Sequence, residues 1–183
     1  MRTVTVAVRP IEPGDKAKLV AAFGRLSEAS RYRRFLSPHG QLSKAELRYL
    51  TEVDHHDHEA LVALHPVTSE GVGVARYVRD SRRPDSAEIA VVVADEWQGR
   101  GVGTTLLHRL ADRAREEGIR RLTALMLAEN DAMAHLLSDL GETRVLEVGQ
   151  GTVELAVDLP ARGASPELAR WLRSAAHGAL RLP

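Results

Sequence analysis

Cysteine is absent from the 183 residues. That single absence removes disulfides, thiolate zinc sites, iron–sulfur clusters and a thiol nucleophile. An excess of charge is missing too: 25 Lys and Arg stand against 25 Asp and Glu, a formal net charge of +0. A general nucleic-acid binder draws its affinity from neutralising phosphates, so this balance speaks against one. No apolar run approaches the roughly 20 residues that cross a bilayer, and residues 1–15 alternate like a strand without the apolar core of a secretory leader. The expected setting is therefore cytoplasmic, with no membrane partner. Lysine is scarce as well, with Lys16, Lys18 and Lys44 beside 22 arginines, a composition typical of GC-rich bacterial genomes. What is present is an ordinary globular mixture, 44% hydrophobic and 27% charged, enough for one domain with a core.

Hydrophobic periodicity divides the chain. Residues 3–8 are β-branched and alternate, which predicts a strand ended by Arg9-Pro10. Asp15 is placed to cap a helix through Leu26 with Leu19, Val20 and Phe23 on one face. Residues 30–36 suit a short helix, and Ser43 with Glu46 forms a capping-box pattern ahead of Leu47 and Leu50. Strands follow at 60–64 and 72–78, then a polar loop at 79–86 and a strand at 87–94. A long helix runs from Thr104 to Glu117, with Leu106, Leu107, Leu110, Ala111 and Ala114 on its buried face and Gly118 closing it. The remainder reads as a strand at 122–127, a helix from Asn130 to Leu140 closed by Gly141, and a strand pair at 143–148 and 152–157. The order β, α, α, β, β, β, α, β, α, β, β defines an α+β or α/β protein whose N-terminal sheet is largely antiparallel. Residues 1–159 form the expected domain. Residues 160–183 are a linker and an amphipathic helix started by Ser165-Pro166-Glu167, which either covers its own core or makes a dimer contact.

The most informative segment is Gln98-Gly99-Arg100-Gly101-Val102-Gly103-Thr104, set between a strand and a helix. Glycines let backbone approach a ligand, and free N–H groups at a helix N-terminus attract anions, phosphate above all. The nucleotide P-loop requires a lysine that Gly103-Thr104 lacks. The dinucleotide fingerprint requires a third glycine where Thr104 stands and an acid near Arg120-Arg121. The pattern Q/R-x-x-G-x-G/A is met at Gln98, Gly101 and Gly103. The segment thus resembles the diphosphate-binding motif of the GNAT superfamily of acyl-CoA-dependent N-acyltransferases, and the resemblance runs from about residue 4 to 158. Within that superfamily the chain is similar to the catalytic domain of bacterial Pat-type protein lysine acetyltransferases. The residues carrying this are Ser30 with Arg34-Phe35, Leu42-Ser43, Val53-Asp54, residues 60–63, residues 87–90 and Gly118-Ile119. The regulatory or synthetase domains often joined to such enzymes are not in this chain, which would make it a free-standing catalytic module.

The resemblance implies a mixed, mostly antiparallel central sheet with helices on both faces, and acetyl-CoA as co-substrate. Gln98, Gly99, Arg100, Gly101, Val102, Gly103 and Thr104 would meet the diphosphate. The backbone of Val91, Val92 and Val93 would pair with pantetheine amides and polarise the thioester. Asn130 would bond the coenzyme, alongside the helix-capping role that Asn also favours. An alkylammonium is protonated near neutral pH and needs a base before it can attack. Glu88, at the start of the strand that feeds the turn, is the candidate. Its alternative is a solvent-facing acid at a strand end. Many relatives carry a tyrosine seven residues after the Asn, to protonate the leaving thiolate; here that position is Leu137. Without a cysteine acyl carrier, direct transfer in a ternary complex follows.

The stretch Asp54-His55-His56-Asp57-His58-Glu59 invites a metal reading. Adjacent histidines face apart and no third ligand converges, so no metal site is assigned and a solvated loop is expected. Arg31, Arg33, Arg34, Arg79, Arg82 and Arg83 read as solvated faces or, if functional, as a grip on coenzyme phosphate or an acidic protein surface. The expected activity is acetyl transfer to a primary amine, a protein lysine before a small amine. A catalytically idle acyl-CoA sensor is the rival reading. Monomer and homodimer both stay open, with the C-terminal helix expected on its own core before a dimer contact.

Overall fold

The computed structural model describes residues 5–160; the helix expected after Ser165 and the first residues of the N-terminal strand lie outside them. Seven strands build one sheet: β1 (Ala7–Pro10), β2 (His58–Leu64), β3 (Gly71–Asp80), β4 (Arg83–Val93), β5 (Arg121–Leu127), β6 (Glu142–Val148) and β7 (Thr152–Asp158). Their spatial order is β1-β2-β3-β4-β5-β7-β6. Every pairing is antiparallel except β4 with β5. Five helices accompany them: α1 (Lys16–Gly24), α2 (Glu28–Phe35), α3 (Lys44–Thr51), α4 (Val102–Glu116) and α5 (Asp131–Leu140). The fold is the mixed, mostly antiparallel α+β arrangement expected, and α2 is the short helix expected at residues 30–36, begun two residues earlier.

Strand alternation sorts side chains onto two faces. Leu61, Ala63, Ala75, Tyr77, Ala87 and Ile89 meet the apolar stripe of α4, where Leu106, Leu107, Leu110, Ala111 and Ala114 are all buried as their spacing predicts. Val62, Leu64 and Val74 point the other way and pack with Val92 of β4 and Leu19 of α1. Helices therefore cover both faces. The capping box at Ser43 is formed, the Ser43 hydroxyl accepting from the Glu46 N–H and the Glu46 carboxylate from the Ser43 N–H. Gly141, between α5 and β6, is required by close approach, because a Cβ there would lie 2.4 Å from the Asp158 carbonyl oxygen.

Several expectations are corrected. The first strand ends at Pro10 but includes it and Arg9; Pro10 pairs with Leu61, and an outermost strand tolerates its missing N–H. Asp15 occupies the position before α1 but does not cap it; its carboxylate accepts instead from the Glu12 N–H at 3.0 Å, closing the short turn that precedes the helix. Its buried carboxylate takes two 2.7 Å hydrogen bonds from Arg9 and one from Lys18, which hold it well below the usual carboxylate range despite burial. Val20 is 48% exposed and leaves the apolar face of α1. The polar stretch 79–86 is not a loop. β3 runs to Asp80 and β4 begins at Arg83, while Asp80 accepts from the Arg82 N–H and pairs with Arg83. The register shifts beyond Arg79, so Pro84 falls in an irregularity where its missing donor costs no ladder bond.

Candidate active site

β4 and β5 pair only from Ser86 to Glu88 and from Arg121 to Thr123. Beyond Glu88 and Thr123 the two strands separate. The β5-facing edge of residues 89–93 is left without a sheet partner, and a ligand can add itself there as a strand. The chain then turns through Asp95–Trp97 and Gln98 into α4. Gly99 and Gly101 have φ of 68° and 82°, conformations that strain other residues, and open space surrounds both. Gly101 is the N-cap of α4 and no side chain caps that end, so the first-turn N–H groups stay available to an anion.

A cleft of about 620 Å³ gathers Val91, Val92, Val93, Gln98, Gly99, Gly101, Gly103, Thr104 and Asn130 along its wall. Nine positions singled out from sequence thus share one space. Val102 does not line it: its side chain is buried in the core, leaving only its backbone for a ligand. Arg100 is exposed, with its guanidinium 5.6 Å from the Trp97 ring centre. Asn130 caps α5, accepting from the Met133 N–H at 3.3 Å, while also facing the cleft. Gln98 turns its amide inward to the Val93 carbonyl at 3.0 Å, to Ser30 and to Asp95, so its side chain shapes the turn.

Glu88 lies outside the cleft lining, exposed on β4 at the last pair before the strands part. At about 3.3 Å per residue it lies roughly 10 Å along the strand from Val91. Across neighbouring strands His58, Val78 and Glu88 form one row of side chains on the face away from α4. Leu137 is fully buried and faces the core instead of the cleft. From α5, His135, Leu136 and Asp139 line the cleft, and sequence reasoning passed over all three because helical phase decides which turn of α5 faces inward. Ser30 and Asp95 were missed for a different reason. They are 65 residues apart, and their hydrogen bond exists only once α2 packs beside the turn.

The histidine stretch is less solvated than expected. His55 bonds the buried Glu59 at 2.8 Å, His56 pairs with Glu117, and His58 accepts from Arg76 at 2.9 Å. Burial and then the Arg76 charge pull the His58 pKa down to about 4. Among the described residues no cluster of three or more His, Cys, Asp or Glu side chains is arranged to hold a metal ion.

Comparison with known proteins agrees with this geometry. The model of the Acetyltransferase (GNAT) family matches residues 26–141. "Acetyltransferase Pat" of Mycolicibacterium smegmatis is 34% identical over 177 residues, 95% of this chain and 53% of the relative. The chain therefore spans about half the length of that protein. "Acetyltransferase PA5475" of Pseudomonas aeruginosa is 35% identical over 140 residues, 74% of each chain. The GNAT domain of S. lividans PAT superposes with a TM-score of 0.78 at 35% identity, over 85% of this chain and 92% of that one. The yncA protein of Salmonella typhimurium, solved with acetyl-CoA, shares the fold at a TM-score of 0.68 and 20% identity, over 89% of this chain and 98% of its own. This chain belongs to the GNAT acetyltransferase family, and its catalytic fold is that of the Pat GNAT domain. No helix among the described residues is long and apolar enough to cross a membrane.

Proposed function

We propose that the protein moves the acetyl group of acetyl-CoA to a primary amine, a protein lysine side chain first, by direct attack in a ternary complex. The observation that carries this reading is the parting of β4 and β5 just beyond Glu88, directly ahead of the uncapped start of α4. Pantetheine amides suit the free edge of Val91–Val93, and the coenzyme diphosphate suits the N–H groups from Gly99 to Thr104. Gly99, Gly101 and Asn130 face the same cleft without blocking it. The donor's acetyl carbonyl then lies along β4, where a backbone N–H supports the developing oxyanion.

Glu88 takes the proton of the arriving ammonium, directly or through water. The freed amine nitrogen forms the new bond to the acetyl carbon, the carbon–sulfur bond breaks, and coenzyme A leaves as thiolate. With Leu137 sealed in the core, no tyrosine on α5 protonates that sulfur. A thiol pKa near 8.5 makes thiolate a tolerable leaving group, and water then supplies its proton. The protein-lysine preference draws on the similarity to the two Pat proteins.

The test is incubation with acetyl-CoA and desalted cell lysate, followed by mass-spectrometric mapping of acetylated lysines, with Glu88→Gln in parallel. New acetyl-lysines are expected with the native protein. The variant should keep its acetyl-CoA affinity and lose about 10²-fold or more in turnover, the range of a general base. Acetyl-CoA binding without any acetylated lysine would retire the protein-lysine reading; unchanged turnover in the variant would retire Glu88 as base.

A further inference from the structure

Two arginines beside Glu88 have no carboxylate to meet. Arg34 of α2 and Arg76 of β3 both line a cavity of about 60 Å³ between the N-terminal helices and the sheet, walled by Phe23, Leu50, Val62 and Val92. Arg34 also lines the coenzyme cleft, so it stands where the two spaces adjoin. Arg76 is 6% exposed and gives two of its donors away, to His58 and to the Leu50 carbonyl at 3.0 Å. The Arg34 guanidinium lies 4.9 Å from the Phe35 ring centre. Among the described residues neither arginine forms an ion pair. The surrounding charges do not compensate. His58 accepts from Arg76 and is neutral in that role, Asp15 is already taken by Arg9 and Lys18, and Glu88 acts on Arg34 only through space. Burial lowers the pKa of both guanidiniums, and the Arg34 charge helps bring Arg76 down to about 9.

A buried cation without a counterion is costly, and a fold that sets the half-buried Arg34 beside the buried Arg76 gains little from the pair on its own. They also oppose the reaction, because the acceptor amine arrives as an ammonium. Both difficulties vanish if the acceptor brings its own negative charge. Arg76 is the diagonal neighbour of Glu88 across the β3–β4 pair, a relation that spans roughly 7–8 Å between Cα atoms. A group held by these arginines therefore presents its amine within reach of Glu88. Guanidinium forks match carboxylates in bidentate geometry.

Building on the acetyltransferase reading, we propose that the acceptor carries a carboxylate close to its amine, and that Arg34, backed by Arg76, holds this carboxylate while the amine faces Glu88. The carboxylate comes either from an acidic side chain beside a protein lysine or from a free amino acid, and matched acceptors separate the two. One pair is a lysine peptide with Glu or Gln next to the lysine. The other is β-alanine and β-alaninamide. For each, kcat/KM is measured with acetyl-CoA, and binding to the coenzyme A-loaded protein is measured by calorimetry, in the native chain, Arg34→Gln and Arg34→Lys.

The acid member is expected to win by about tenfold or more in one pair, which identifies the source. The ratio should collapse towards one in Arg34→Gln and recover in part in Arg34→Lys. Taking the ratio within each variant cancels any general effect on coenzyme binding or folding. Turnover of both members without acid preference in the native protein overturns the proposal and leaves the acetyltransferase reading standing. If none of the four is acetylated, acid-selective and Arg34-dependent binding upholds the carboxylate site while counting against these amines as acceptors. Equal binding of acid and amide overturns the site.

Discussion

Asp95 is the residue on which the glycine-rich turn is hung. Its carboxylate accepts from the Ser27 N–H at 2.7 Å, the Ser27 hydroxyl at 3.2 Å, the Ser30 hydroxyl and the Gln98 amide at 3.2 Å. Burial works to raise its pKa, and the hydrogen bonds from Ser30 and Ser27 outweigh that and leave it below the usual aspartate value. Ser30 is the pivot: buried, it donates to Asp95 and accepts from Gln98. Ser30→Ala removes one hydrogen bond to Asp95 and one from Gln98, while both keep other partners. A hydrogen bond to a charged group contributes about 1.5–3 kcal/mol, so the urea midpoint should fall correspondingly. The acetyl-CoA dissociation constant should rise by about tenfold, as about 1.4 kcal/mol of lost preorganisation would give. Normal stability together with normal affinity would show that the Asp95 cluster does not brace the turn.

At the scale of elements, the site is a junction: a strand losing its neighbour, a left-handed turn, and a helix starting without a cap. Gly101 makes the junction possible. Gly101→Val forces a side chain into φ 82°, at roughly 1–2 kcal/mol of strain or more for a β-branched residue. Calorimetry should show acetyl-CoA binding weakened by about tenfold. Gly103→Ala should cost less, because the tightest contact of its new Cβ is the movable Leu136 Cδ1 at 3.2 Å and its other neighbours are at ordinary distances; equal penalties at both positions would contradict this account of the turn. Gln98 to Thr104 was legible in the sequence because strand, turn and helix follow one another directly, and every cue lies within a dozen residues. The α4 stripe was legible for the same reason. The parting of β4 from β5 was not, since it depends on which distant strand stops pairing where. The insertion of β7 between β5 and β6 is equally non-local. Residues 79–86 were misread because charges and Pro84 suggest a loop. The ladder with β3, together with Arg79 bonded to Asp57 at 2.6 Å and to the Glu117 carbonyl at 3.0 Å, holds them as strand. Arg34 read as a solvated face because nothing local reveals that α2 turns it towards the sheet.

For the whole molecule, the balanced formal charge hides an asymmetry in how the fold takes up protons. Asp15, Asp54 and Asp95 all have lowered pKa values, Asp15 because Arg9 and Lys18 surround it. His58 is lowered to about 4, first by burial and then by Arg76. In each case the unfolded chain binds the proton at a higher pH than the folded one, so stability must fall as pH falls. The windows differ. His58 acts between its unfolded value near 6.5 and its folded value of about 4, because a protonated imidazole cannot accept from the Arg76 guanidinium. The aspartates act mainly below about 5, where unfolded carboxylates begin to protonate. Urea midpoints measured at about pH 7.5, 6, 5 and 4 should therefore decline already by about pH 5, before ordinary carboxylates titrate. His58→Gln keeps an acceptor for Arg76 without a titrating ring, and should flatten the curve between about pH 6.5 and 5 while leaving the steeper acid limb. Asp15→Asn should do the reverse, lowering stability at neutral pH and softening only the limb below about pH 5. A midpoint constant from pH 7.5 to 4 in the native chain would mean that His58 is not held neutral against Arg76. The pair would then stop being a buried cation with a neutral neighbour, and the positive charge attributed to the acceptor cavity would have to be reassigned.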